Sequence, residues 1–102
     1  MKLIQSRDNP FFKELVKLSG SSRQRNKSAQ TLLDGVHLLA AYLDAGKLPQ
    51  HIVLNSAALQ DGEIAALLER IKNVPVTQLD DKLYAELIRI KGIYRFSRLH
   101  FF

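Results

Sequence analysis

Thr31-Leu32-Leu33-Asp34-Gly35-Val36-His37-Leu38-Leu39-Ala40-Ala41-Tyr42-Leu43 is the stretch that decides the fold. A short apolar run breaks at Asp34-Gly35 and a helical run follows at once, so a strand turns directly into a helix. That turn asks for a small residue and a capping carboxylate, which gives Asp34-Gly35 a structural reading. Gly46 is placed to stop the helix. The alternation continues downstream. After Pro49, His51-Ile52-Val53-Leu54 reads as a buried strand, and Asp61 caps a helix through Ile64, Leu67, Leu68 and Ile71. Val74-Pro75-Val76-Thr77 is a third strand, with Pro75 at an edge or a strand start. Asp80 caps a last helix through Leu83, Leu87 and Ile88 to Lys91. Strands alternating with helices of this length predict an α/β fold, a three-layer α/β/α sandwich with a small, mostly parallel sheet.

Upstream of this body lies a different kind of sequence. Asn9-Pro10 opens a helix over about residues 10–18, because Asn is a good N-cap and Pro lacks the N–H that the first turn leaves over. Phe11, Phe12, Leu15, Val16 and Leu18 form its apolar side. Lys13 and Lys17, four apart, share its exposed face and repel each other, an arrangement that favours a nearby anion. Ser19 to Ser28 holds no apolar residue, and its cations Arg23, Arg25 and Lys27 are spaced by two. It is a loop or an exposed helical turn. The organisation is thus a basic helix and Ser/Arg-rich loop over 1–30, a body over 31–91, forming one domain with it, and an aromatic, basic tail over 92–102.

Composition sets limits on function. The chain has 102 residues, 46% of them hydrophobic and 25% charged, which suits one globular domain. It contains no cysteine, so disulfides and thiolate metal sites are excluded and a reducing compartment is favoured. No apolar run approaches the roughly 20 residues of a membrane span, and no signal peptide is visible. A soluble, cytoplasmic protein is expected. The net charge of +5 is unevenly spread: residues 1–30 carry +5, residues 31–90 carry −3 and residues 91–102 carry +3. Clustered basicity attracts polyanions, of which nucleic acid is the commonest.

Catalytic signals are poor. There is no Gly-x-Ser-x-Gly elbow, the five glycines are scattered singly, and His37, His51 and His100 lie too far apart in sequence for a recognisable metal motif. Asp80-Asp81 is explained by helix capping and the helix dipole. Neither catalytic, cofactor-binding nor metal-binding residues are expected. Nucleic-acid binding suits the inventory better. Arg23, Arg25 and Lys27 can contact phosphate, with Ser21, Ser22 and Gln24 as further donors. Asn9 is either a plain N-cap or a direct RNA contact. Tyr42 and Tyr84 read as core or rim.

The order of these pieces carries a family resemblance. Ser6-Arg7-Asp8-Asn9-Pro10, Phe12-Lys13, Ser22-Arg23 to Lys27, and Leu32-Leu33-Asp34-Gly35-Val36-His37 succeed one another as in one family. They resemble the N-terminal substrate-binding domain of the SpoU (TrmH-type) RNA ribose 2′-O-methyltransferases, over roughly residues 5–90. The resemblance implies a sandwich like those of RNA-binding ribosomal proteins, holding structured rRNA or tRNA. A separate knotted domain then binds S-adenosylmethionine, methylates a ribose and provides most of the dimer contact. The RNA-facing positions implied are Arg7, Asn9, Lys13, Lys17, Arg23, Arg25, Lys27 and His37. After Lys91 too few residues remain for the catalytic domain, and Gly92 to Phe102 departs from the family pattern. That tail is an added strand of the sheet, the frameshifted end of an interrupted gene, or a truncation. A stand-alone structured-RNA-binding protein, or an interaction module acting through the aromatic tail, are the alternative functions.

Overall fold

The computed structural model describes residues 1–20, 33–91 and 99–102. In chain order they form β1 (Lys2–Ile4), α1 (Pro10–Gly20), β2 (Leu33–Asp34), α2 (Val36–Asp44), β3 (Ile52–Leu54), a 3-10 turn (Ser56–Gln60), α3 (Gly62–Arg70), β4 (Val76–Leu79), α4 (Asp81–Lys91) and β5 (Leu99–Phe101). The five strands make one sheet in the order β1-β4-β3-β5-β2. β4 runs parallel to both β1 and β3, and β5 runs antiparallel to both β3 and β2. The sheet is therefore mixed, and β5 supplies its antiparallel half. Of the three readings of the 92–102 tail, the added strand matches residues 99–101; residues 92–98 lie outside the described residues.

Among the described residues two helices cover each face, which completes the α/β/α sandwich. Strand alternation divides the core: Val53, Ile4 and Leu79 pack with Phe12 and Leu15 of α1 and with Leu83, Tyr84 and Leu87 of α4. Ile52, Leu54, Leu99 and Phe101 point the other way, onto Leu39 and Leu43 of α2 and Ile64 and Leu67 of α3. Ile52, Val53 and Leu54 have no exposed surface, so β3 is buried on both faces. Each such side chain contributes about 1.5–3 kcal/mol relative to an exposed one.

The caps follow local chemistry. Asn9 Oδ1 accepts from the N–H groups of Phe11 and Phe12, at 2.8 and 3.4 Å. Asp61 Oδ1 accepts from Glu63 and Ile64, and Asp80 Oδ1 from Leu83. At α2 the N-cap residue is Gly35 itself, at φ 109°, so the side-chain carboxylate cap expected of Asp34-Gly35 is replaced by a backbone arrangement. Gly35 N–H donates to Leu99 O across the sheet. A side chain at that φ would be strained, which is why glycine stands there. Gly46, at φ 79°, ends α2 with its N–H on Leu43 O, and Lys47 N–H reaches Tyr42 O. Pro75 stands just before β4, where its carbonyl still accepts from Ile52 N–H. β1 was not expected from the sequence. Only Ile4 of its three residues is buried, so no alternation marks it.

Candidate functional site: a basic cleft between the first and last helices

α1 and α4 lie side by side on one face of the sheet, and the groove along their outer surface is an open cleft of about 650 Å³. Phe12 and Val16 of α1 and Ile90 of α4 supply its apolar floor. Arg7, Lys13 and Lys17 stand on its rim, with Asp8 and Glu86 as the opposing carboxylates. The helical spacing explains the arrangement. Positions 12 and 16 lie one turn apart, as do 13 and 17, so an apolar row runs beside a cationic row.

The charges are held unequally. Arg7 donates to Glu86 Oε1, a pair in which the arginine side chain is 72% exposed and the glutamate only 17%. Arg7 can therefore swing to another anion, whereas Glu86 stays in the groove. Lys17 lies 3.5 Å from Glu14 in an exposed pair worth at most about 1 kcal/mol. Lys13 is exposed and has no ion-pair partner among the described residues. A surface with loosely held cations above apolar carbon binds polyanions readily.

The predicted RNA-facing residues are thus partly brought together. Arg7, Lys13 and Lys17 share the cleft, and Asn9 sits between them in sequence with its side-chain oxygen committed to capping α1. His37 is elsewhere, on α2 across the sheet, with its ring 3.6 Å from Glu63 and its side chain 89% exposed. Arg23, Arg25 and Lys27 lie outside the described residues. Glu86 was missed by sequence reasoning. Nothing local distinguishes it from other helix-surface acids, and its partner is 79 residues away in the chain.

Two histidines are absorbed by the fold. His51 Nε2 is 2.7 Å from Thr77 Oγ1, and its ring packs against Phe11 and Phe102 with centroids 4.6 and 5.7 Å apart. Burial holds its pKa below the ordinary histidine value. His100 is fully buried and shares a 2.8 Å hydrogen bond between Nδ1 and the Tyr84 hydroxyl. Among the described residues, no group of three His, Asp or Glu side chains is disposed to hold a metal ion. A second, shallower cleft of about 380 Å³ lies at the carboxyl ends of β1, β3 and β4. Its acids are engaged in structure: Asp80 caps α4, and both oxygens of Asp81 accept from the Ser56 hydroxyl.

No protein-family model and no curated protein sequence matches the chain. Solved structures do match in shape. An rRNA methyltransferase from Sinorhizobium meliloti aligns with 98% of this chain at a TM-score of 0.71 and 19% identity, using 35% of its own length. An RNA 2′-O-ribose methyltransferase aligns with 97% at a TM-score of 0.74 and 17% identity, over 36% of its length. The SpoU methyltransferase AviRb from Streptomyces viridochromogenes, in complex with AdoMet, aligns with 91% at 0.67 and 14%, over 32% of its length. This chain spans about a third of the length of the structures it matches. Its fold is that of a segment found in SpoU-type RNA methyltransferases.

Proposed function

We propose that this chain is an RNA-binding domain of a SpoU-type RNA ribose 2′-O-methyltransferase, holding rRNA or tRNA for a catalytic domain that lies outside it. One observation carries the reading: nearly the whole chain aligns with about a third of the length of RNA methyltransferase chains. The rim of Arg7, Lys13 and Lys17 supports RNA as the ligand, and the sequence continues with three further cations, Arg23, Arg25 and Lys27. Guanidinium and ammonium groups bind phosphate through charge-assisted hydrogen bonds, with release of condensed counterions. The absence of cysteine and an RNA substrate both accord with the cytoplasm.

No methyl-transfer step is assigned to these residues. Their role is to hold and orient the polynucleotide. The test is fluorescence anisotropy with a structured rRNA fragment across a salt series. Two triple variants are compared with wild type: Arg7→Ala, Lys13→Ala, Lys17→Ala, and Arg23→Ala, Arg25→Ala, Lys27→Ala. Each triple should reduce the salt slope by about two to three units if all its cations meet phosphates. Absence of wild-type binding at low salt rejects the reading. With labelled S-adenosylmethionine and rRNA, the chain alone should transfer no methyl group; turnover by the pure chain would overturn the division of labour.

A further inference from the structure

We infer that the cleft between α1 and α4 receives a single unpaired base of the bound RNA, and that Glu86 reads its hydrogen-bonding edge. The inference rests on the RNA reading and specifies what part of the RNA the cleft takes. Phosphate binding accounts for the rim but not for the floor. A paired A-form helix presents phosphates, riboses and a shallow groove, and offers no apolar group to cover Val16 and Ile90. An extruded base has two apolar faces and a polar edge, and such bases are what proteins lodge against apolar and aromatic side chains. The volume of about 650 Å³ lies within the range of pockets that take small molecules, and the cleft is open to solvent.

The charge pattern fits the same occupant. The exposed, loosely held Lys13 and Lys17 run along the side of α1, where the phosphates flanking an inserted base would pass. The carboxylate of Glu86 is sheltered, with only 17% of its side chain exposed, at a site where an anion hinders phosphate binding. Its presence needs a donor. Arg7 supplies one, yet a carboxylate accepts several hydrogen bonds, and Glu86 is among the residues lining the cleft. Guanine presents two adjacent donors, the N1–H and the exocyclic amine, and matches a carboxylate best. Uracil presents one. The preferred ligand is therefore a structured RNA with a bulged or looped-out guanosine.

The experiment uses the whole chain and three RNAs of equal length: a hairpin with one bulged G, the same hairpin with a bulged U, and a fully paired hairpin. Affinity should fall in that order, with about ten- to a hundredfold between bulged G and the paired form. Ile90→Ala, at a partly exposed position, should remove most of that difference. Glu86→Gln should reduce the preference for G over U. Equal binding of bulged and paired hairpins, or an Ile90→Ala loss common to both, overturns the base-binding inference and leaves the RNA reading standing. Failure of all three RNAs to bind at low salt overturns both.

Discussion

The side of the sheet covered by α2 and α3 is packed with aliphatic residues and Phe101, whereas the side covered by α1 and α4 takes in Tyr84, His100 and Thr77 as well. The outer surfaces differ in the same direction. α2 and α3 carry balanced pairs, Arg70 with Asp44 and His37 near Glu63, while α1 and α4 bound the basic cleft. Apolar packing alone is tolerant of small slips, because dispersion has little directionality. The hydrogen bonds Tyr84–His100 and His51–Thr77 exist at one register only, so they fix α4 against β5 and β3 against β4. The half of the molecule that bears the cleft is the half whose interior is tied by directional bonds.

Mutations can break this contrast or sharpen it. Leu54→Ala empties a fully buried position on the aliphatic side and should cost about 2–5 kcal/mol, read from urea unfolding. Tyr84→Phe keeps the volume on the other side but removes the bond to His100, for an expected loss of about 1–3 kcal/mol by the same assay. A loss below about 0.5 kcal/mol would show that the buried pair adds nothing beyond packing, and the contrast would fail. Asn9→Ala, which uncaps α1 at the mouth of the cleft, should cost about 0.5–2 kcal/mol.

His51 gives the contrast a pH signature. Its folded pKa is depressed by burial, so the unfolded chain takes up the proton first as pH falls. Its contribution is intact above the ordinary value of about 6.5 and is lost as pH drops from there toward the folded pKa. The urea midpoint should be lower at pH 5 than at pH 7, and His51→Gln should flatten that difference. The smallest stability effects belong to the exposed pairs. Arg7→Ala and Arg70→Ala should each cost about 0–1 kcal/mol, but only Arg7→Ala should lower the RNA salt slope, by about one unit.

Sequence made the body legible where its signals were local. Caps at Asn9, Asp61 and Asp80, the stop at Gly46 and the strand at Ile52–Leu54 all depend on neighbours within a few residues. β1 escaped because three residues with one inward side chain have no periodicity to detect. The tail stayed open among three readings, since its insertion between β3 and β2 is decided by partners about 45 and 65 residues away. For the cleft, Lys13 and Lys17 could be put on one face by spacing alone, and Arg7 entered through the family pattern. Glu86 and Ile90 required the packing of α4 on α1, which no local pattern encodes.

β5 occupies an interior place in the sheet although it follows every other described strand in the chain. The sheet therefore cannot assemble in the order of synthesis. Until residues 99–101 arrive, β3 keeps one edge bare and β2 has no ladder at all. A nascent chain at that stage shows an apolar strand edge to its surroundings, the condition under which strands from two chains pair wrongly. The sheet closes only when β5 has returned, and crowding at high expression is where the delay would be felt.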